Sequence, residues 1–299
     1  MLQLLLGGSG SGKTTLLYQR IRARAEKGEK SILLVPEQFT SSTEGRIYRE
    51  LGDALSGMVE SFSFTSLAEK ILSTEGGAAV QTLSDAGRAV LVRRALEELQ
   101  DNVHYYHRHR RSAAFCQMAA QTIDELKSAG LSGRQLAQLA GACGAESGKL
   151  SELALIFQGY ETLLARSGMD PSDRLELAGA RLEEALARHS LPEFLRDRAV
   201  FIDEFDTFNA PKKRLLGAML AALPSVTVAL CDDGAPLLPG DLSLFSGAKQ
   251  VAAQLRQLAR KNGAEVAVPQ LLRKDLRHRN APGLAAVAEL LETGSCTAD

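Results

Sequence analysis

A largely apolar run, Leu2-Gln3-Leu4-Leu5-Leu6, leads directly into Gly7-Gly8-Ser9-Gly10-Ser11-Gly12-Lys13-Thr14-Thr15. This is G-x-x-x-x-G-K-T set between a strand and an amphipathic helix, and few folds accommodate it. Glycines let the backbone wrap a polyphosphate closely and turn its N–H groups inward. The following helix N-terminus adds partial positive charge. Lys13 has the reach to contact β- and γ-phosphates, and the Thr14 hydroxyl suits magnesium. A plain Gly/Ser-rich turn before a helix would not explain why motif and strand–loop–helix context coincide. The expectation is therefore a site for ATP or GTP with magnesium, built from Gly7, Gly8, Ser9, Gly10, Ser11, Gly12, Lys13, Thr14 and Thr15.

At 299 residues the chain has room for one large or two modest domains. Lys plus Arg is 35 against 36 for Asp plus Glu. That balance argues against a whole-surface electrostatic grip on nucleic acid but leaves room for a local basic track. Cys116, Cys143, Cys231 and Cys296 show no C-x-x-C spacing, which fits reduced, metal-free thiols and a cytoplasmic setting. No apolar run approaches the ~18 residues of a membrane span. The run at 2–6 is too short for a signal peptide and lacks a basic leader.

The chain reads in three stretches. The first, 1–75, alternates strand and helix: a strand at 2–6, a helix over 14–26 ended by Gly28, a strand at 31–35 stopped by Pro36, a helix over 44–55 and a strand at 58–62. The second, 76–195, shows only helical periodicity, with helices expected over 84–99, 112–129, 132–141, 147–167 and 172–189. The third returns to strands at 199–202, 226–230 and 264–268 separated by helices over 211–222 and 247–261. Residues 271–299 read as a helical tail or linker. Continuous apolar strands alternating with helices imply an α/β fold with a parallel sheet covered on both faces. That sheet is split in sequence by an all-α insertion.

A phosphate loop needs a carboxylate to hold magnesium through water, commonly at the end of a neighbouring strand. Phe201-Ile202-Asp203-Glu204 supplies one: Asp203 for the metal, with Glu204 placed to polarise an attacking water. Asp232 and Asp233, after the next strand, read either as further metal contacts or as solvated loop acids.

These residues carry a resemblance. The glycine loop, Val35-Pro36-Glu37-Gln38-Phe39-Thr40 and Ile202-Asp203-Glu204-Phe205 resemble superfamily 1 helicases of the UvrD/Rep type, and the helical insertion fits. Val-Pro-Glu-Gln-Phe-Thr followed by a helix looks most like the AddB (RexB) family, the B subunits of bacterial ATP-dependent helicase/nucleases that process double-strand breaks. The resemblance covers nearly the whole chain but only about the N-terminal quarter of the family's length, so a fragment is expected. It implies a RecA-like P-loop domain (1A-like) at 1–75 plus 196–270 and a helical 1B-like subdomain at 76–195. It also implies an A-subunit partner in a heterodimer, DNA as single strands and duplex ends, and a helicase-like scaffold that helps recognise the Chi sequence while the A subunit translocates.

The departures shape the expected activity. A working helicase of this superfamily carries D-E-x-Q-D; this chain has Asp203-Glu204-Phe205-Asp206-Thr207. It also has a Gln soon after the next strand, where this chain has Cys231-Asp232-Asp233-Gly234-Ala235. Arginine fingers would come from a second RecA-like domain, and losing one lowers turnover on the order of 10³ or more. Nucleotide binding with very slow hydrolysis is expected.

The superfamily resemblance places single-stranded DNA across the top of the sheet. Candidate contacts are Gln38, Phe39 and Thr40 in a loop over 37–42 after the second strand and Phe64 and Thr65 in a loop over 61–66 after the third. Hydroxyls and backbone N–H groups could hold phosphates there, and Phe39 or Phe64 could stack on a base. Both phenylalanines read equally as core plugs. His104-Tyr105-Tyr106-His107-Arg108-His109-Arg110-Arg111 mixes basic and aromatic residues, which nominates Arg108, Arg110 and Arg111 for DNA or, alternatively, a solvated inter-helix loop. A second basic cluster, Arg273-Lys274 with Arg277-His278-Arg279, reads as a surface helix or a contact to further domains. A small-molecule kinase and a non-catalytic nucleotide-binding scaffold are the competing functional readings.

Overall fold

The computed structural model describes residues 1–77, 79, 81–144 and 147–293. Cys296 lies outside the described residues, as does the end of the expected tail. The described residues form an α/β protein with a six-stranded, all-parallel sheet and twelve α-helices. They divide into two compact units. One comprises Met1–Leu67, Leu182–Phe208 and the chain from Leu216 onward; the other comprises Ala68–Arg181 and Asn209–Leu215.

In the first unit the strands are β1 (Leu2–Gly7), β2 (Ser31–Leu34), β3 (Val59–Phe62), β4 (Ala199–Ile202), β5 (Ser225–Cys231) and β6 (Gln270–Leu272). Their order across the sheet is β3-β2-β4-β5-β1-β6. Side chains of a strand alternate between faces. Leu5, Leu33, Phe201 and Ala229 pack in one cluster with Leu17, Tyr18 and Ile21 of α1 (Lys13–Ala25) and Ile47 and Leu51 of α2 (Thr40–Leu51). The residues of opposite parity, Leu4, Leu6, Ile32, Leu34, Val200, Ile202, Val228 and Leu230, are buried as well. Burial on both faces is why these strands read as unbroken apolar runs.

The final strand differs from expectation. Residues 264–268 contribute only a bridge between Val266 and Leu2, and the ladder resumes at Gln270–Leu272 beside Leu5–Gly7. Pro269 has no N–H to donate, so pairing is interrupted there. Residues 61–66 are not a loop either. Phe64 begins α4 (Phe64–Glu75), and the Ser63 hydroxyl accepts from the Ser66 N–H at 3.1 Å across its first turn. Thr40 likewise opens α2, after a 3₁₀ turn at Glu37–Phe39, rather than standing in a loop. After α2 a short helix, α3 (Asp53–Ser56), leads to β3.

The second unit is helical, with a single bridge between Thr82 and Met169 among its described residues. Its principal helices are α5 (Asp85–Glu98), α6 (Ala113–Ser128), α7 (Gly133–Ala140), α8 (Ser147–Ser167) and α9 (Pro171–Ala187). Serines fix the starts: Ser84 accepts from Gly87 N–H and Ser112 from Phe115 N–H, while Ser132 and Gln135 form a reciprocal capping box. Leu91, Val92, Leu96, Cys116, Ile123, Leu136, Phe157 and Tyr160 form the core. Within it the Lys127 ammonium pairs with Asp170 at 2.9 Å and Asp173 at 2.6 Å, and the Tyr160 hydroxyl donates to Asp170 at 2.6 Å. A buried carboxylate this well partnered is tolerable where an unpaired one is not.

The sheet unit is completed by α10 (Ala210–Ala222), which begins in the helical unit's segment, by α11 (Ser246–Lys261), and by α12 (Pro282–Thr293). No helix among the described residues is long and apolar enough to cross a membrane.

Candidate functional site

In the sheet unit, the carboxyl ends of β1, β4 and β5 open into one cleft of about 640 Å³. In parallel α/β sheets this is the edge where ligands bind. The glycine loop forms one wall. Gly10 and Gly12 have φ of 76° and 90°, a left-handed conformation that L side chains adopt at a penalty, so glycine is required for the wrap. Gly12 caps α1, and Lys13 is its first residue, so unpaired first-turn N–H groups lie beside the loop. The Lys13 ammonium donates to Gly7 O at 2.7 Å and Gly8 O at 2.8 Å, with Cys231 Sγ at 3.4 Å. The Ser11 hydroxyl is buried and unpartnered among the described residues.

Across the cleft, β4 delivers Asp203 and Glu204. Asp203 is buried, and desolvation raises its carboxyl above the ordinary carboxylate range. A hydrogen bond from Thr14 and the nearby Lys13 charge oppose that rise. A buried carboxylate beside a hydroxyl, not fully compensated by its neighbours, is a donor set suited to a hard divalent cation such as magnesium. Glu204 is exposed and has φ of 64°, and its N–H donates to Asp203 Oδ1 at 3.0 Å. A non-glycine residue in this conformation is strained, and it stands where the motif places the residue that would polarise water. Thr15 is exposed on the first turn of α1 and lines the same cleft.

Asp232 and Asp233 behave differently. Asp232 is buried, its carboxyl raised by desolvation, and its Oδ1 accepts from Gly234 N–H at 2.7 Å. Asp233 pairs with the buried Lys249 ammonium at 3.3 Å. Both acids line a neighbouring hollow on the other side of the glycine loop, so they shape the turn after β5 instead of facing Asp203.

The nominated DNA residues separate. Gln38 and Phe39 line the cleft itself, and Phe39 is 38% exposed. Thr40 folds its hydroxyl back onto Glu37 O at 2.9 Å, and Thr65 donates to Glu37 Oε1 at 2.7 Å, tying the start of α4 to the 3₁₀ turn. Phe64 is 1% exposed, edge-on to Phe205 and Phe208 at 5.3 and 6.0 Å between ring centroids. It is a core side chain, and the expectation that it stacks on a base is corrected. In the helical unit, Arg108 and Arg111 are exposed, while Arg110 turns to the His107 ring.

Two cleft cations were not nominated from the sequence. Arg46 of α2 lies over the Tyr18 ring at 4.9 Å, and burial pushes the Tyr18 hydroxyl up to about 12. Arg277 arrives from the opposite end of the chain. Its Nη1 donates to Ser9 Oγ at 3.1 Å, and the Leu276 N–H donates to Gly10 O at 3.0 Å. The segment after β6 therefore lies on the glycine loop. It is not the surface helix expected for this basic cluster, because residues 273–279 are not helical. β6 pairing with Leu5–Gly7 steers it there, and a Cβ on Gly7 would stand 2.6 Å from Leu272 O.

The family described as "ADDB, N-terminal" matches residues 4–288. The B subunit of an ATP-dependent helicase/deoxyribonuclease from Desulforudis audaxviator is 34% identical over 296 residues, which is 95% of this chain and 25% of that protein. The protein of the same name from Moorella thermoacetica is 33% identical over 299 residues, with the same 95% and 25% coverage. The one from Clostridium perfringens is 29% identical over 283 residues, 93% of this chain and 24% of its own length. The chain thus spans about a quarter of the length of the curated relatives it matches. On this match, with the glycine loop and the Asp203-Glu204 pair both inside it, the chain belongs to the AddB family and corresponds to that family's N-terminal region.

Proposed function

We propose that this chain is the nucleotide-binding N-terminal region of a B subunit in an ATP-dependent helicase/deoxyribonuclease that processes DNA ends alongside an A subunit. The observation that carries the reading is the convergence of Gly10, Gly12, Lys13, Thr14 and Asp203 on one cleft at the carboxyl edge of a parallel sheet. The strand order and the loop after β1 support a RecA-like P-loop domain, with the helical unit as its 1B-like insertion. Gly7, Gly8, Ser9, Gly10, Ser11, Gly12, Lys13, Thr14 and Thr15 would cradle the phosphates of ATP, and Thr14 and Asp203 would hold magnesium. The metal, when bound, would neutralise charge on the β- and γ-phosphate oxygens. Lys13 would exchange its two loop carbonyls for phosphate oxygens. Arg277 and Arg46 would add charge from the two sides of the cleft.

Turnover by the chain alone is expected to be slow. Asp206 stands where the D-E-x-Q-D pattern has a glutamine, the stretch 231–235 holds none, and Glu204 would be the residue that polarises water. Single-stranded DNA would pass along the carboxyl edge of the sheet unit near Gln38, Phe39, Thr40 and Thr65, and Arg108, Arg110 and Arg111 of the helical unit would be separate DNA contacts. The test is ATP turnover by the purified chain with and without a single-stranded oligonucleotide. Slow turnover that DNA does not stimulate is expected. Brisk, DNA-stimulated hydrolysis lost in Glu204→Gln would overturn the slow-turnover reading and make this a motor.

A further inference from the structure

The segment joining α5 to α6 is a built feature, not a slack connection. Glu152 on α8 is 6% exposed, yet among the described residues it forms no ion pair. Its carboxylate instead accepts four hydrogen bonds, of 2.7 to 3.3 Å, from the consecutive backbone N–H groups of His104, Tyr105 and Tyr106. A buried anion held by a run of N–H groups fixes the backbone that donates them. Val103 is buried just before this turn. After it, the rings of Tyr106 and His109 both lie on Phe115, at 5.5 and 5.4 Å between centroids. The loop is thus pinned from inside at both ends.

What it presents outward is specific. His104, Tyr105, Arg108 and His109 line an open pocket of about 320 Å³. Tyr105 is 58% exposed, and its ring lies along α8 at Gly148, where a Cβ would stand 3.0 Å from it. Arg108 and Arg111 are exposed and make no ion pair among the described residues. Free cations beside a presented aromatic face on a rigid backbone match the way proteins hold single strands. Phosphates meet the cations, and any base offers a π-face to the ring. A base paired inside a duplex has no face to offer.

We propose that this loop clamps one unpaired nucleotide of a DNA strand, with Tyr105 stacked on the base and Arg108 and Arg111 on the flanking phosphates. The proposal rests on the reading of the chain as a DNA-contacting region, and it adds a site and a stacking residue to it.

Binding of the full chain to a labelled single-stranded oligonucleotide, an abasic strand of the same length and a hairpin duplex tests it. Tyr105→Ala should weaken the base-bearing strand about tenfold and leave the abasic strand unchanged, and Tyr105→Phe should restore binding. Arg108→Gln with Arg111→Gln should weaken both strands and reduce the salt slope by about 1.4, the value for two single-strand phosphates. Wild-type binding that neither variant alters would overturn the clamp while leaving the DNA reading intact. Equal losses on base-bearing and abasic strands in Tyr105→Ala, or a duplex bound as tightly and with the same sensitivity, would also overturn it. Absence of any DNA binding by the wild type would overturn both readings.

Discussion

The Nζ of Lys13 lies 3.4 Å from the Sγ of Cys231, so the end of β5 places a thiol against the lysine of the glycine loop. Cys231 is exposed, as is Cys143 of the helical unit, whereas Cys116 is buried. A polyphosphate seated in the loop would draw Lys13 away and cover Cys231. Alkylation of Cys231 by a maleimide, followed by peptide mass spectrometry, should slow at least severalfold in saturating Mg-ATP. Cys143 should label at the same rate with and without nucleotide. Equal Cys231 rates in both conditions would place the phosphates elsewhere.

The contact between the segment after β6 and the glycine loop is close enough to be steric. A Cβ on Gly10 would stand 2.6 Å from the Cβ of Arg277, and Gly10 has φ of 76°. Gly10→Ala should therefore strain the loop by about 1–2 kcal/mol and displace residues 275–277. Trypsin should then cut sooner after Arg273, Lys274 or Arg277 than in the wild type. Unchanged digestion would mean that the segment does not rest on the loop in solution.

Glu204 carries a strained backbone position at the cleft, at φ of 64°. Glycine relieves such strain and alanine does not, and both remove the carboxylate. Glu204→Gly should be more stable than Glu204→Ala by about 1 kcal/mol, read by urea denaturation. The opposite order, normal for an ordinary helical or extended site, would show that the left-handed turn is absent.

Much of this arrangement is legible in the amino-acid sequence because its determinants are local. β4 falls on Phe201 and Ile202 as their apolar run requires, and the serines ahead of α5, α6 and α7 set helix starts that the structure keeps. The spacing of Phe64, Leu67, Ala68, Ile71 and Leu72 is that of a helix face, and all five are buried. Serines and threonines interspersed among them, together with the strand ending at Phe62, make the segment look like a loop when read residue by residue. Other features have no local signal. Arg277 reaches Ser9 across 268 positions of sequence because a three-residue strand pairs with Leu5–Gly7. Arg46 enters the cleft only because α2 packs on the α1 side of the sheet. The hold of Glu152 on residues 104–106 is equally invisible until α8 and the loop are brought together.

Burial holds the Asp203 carboxyl above its ordinary value. Between the unfolded value, about 3.9, and the raised folded value, the folded chain binds more protons than the unfolded chain. Stability from this group is therefore greatest below the unfolded value. It declines as pH rises through that interval and is then constant. Asp203→Asn cannot ionise. It should melt at a higher temperature than the wild type at pH 7 without ligands, and the gap should narrow as pH falls toward about 4. A gap that widens on acidification would show that Asp203 is held as a stabilised carboxylate instead.

The central claim is that the cleft takes a magnesium–nucleoside triphosphate, and calorimetric titration of the chain with a non-hydrolysable Mg-ATP analogue tests it most directly. Saturation near one equivalent is expected. Affinity should fall at least tenfold in Lys13→Ala, since a charge-assisted hydrogen bond contributes roughly 1.5–3 kcal/mol. No binding by the wild type, or binding that Lys13→Ala leaves unchanged, would contradict the account.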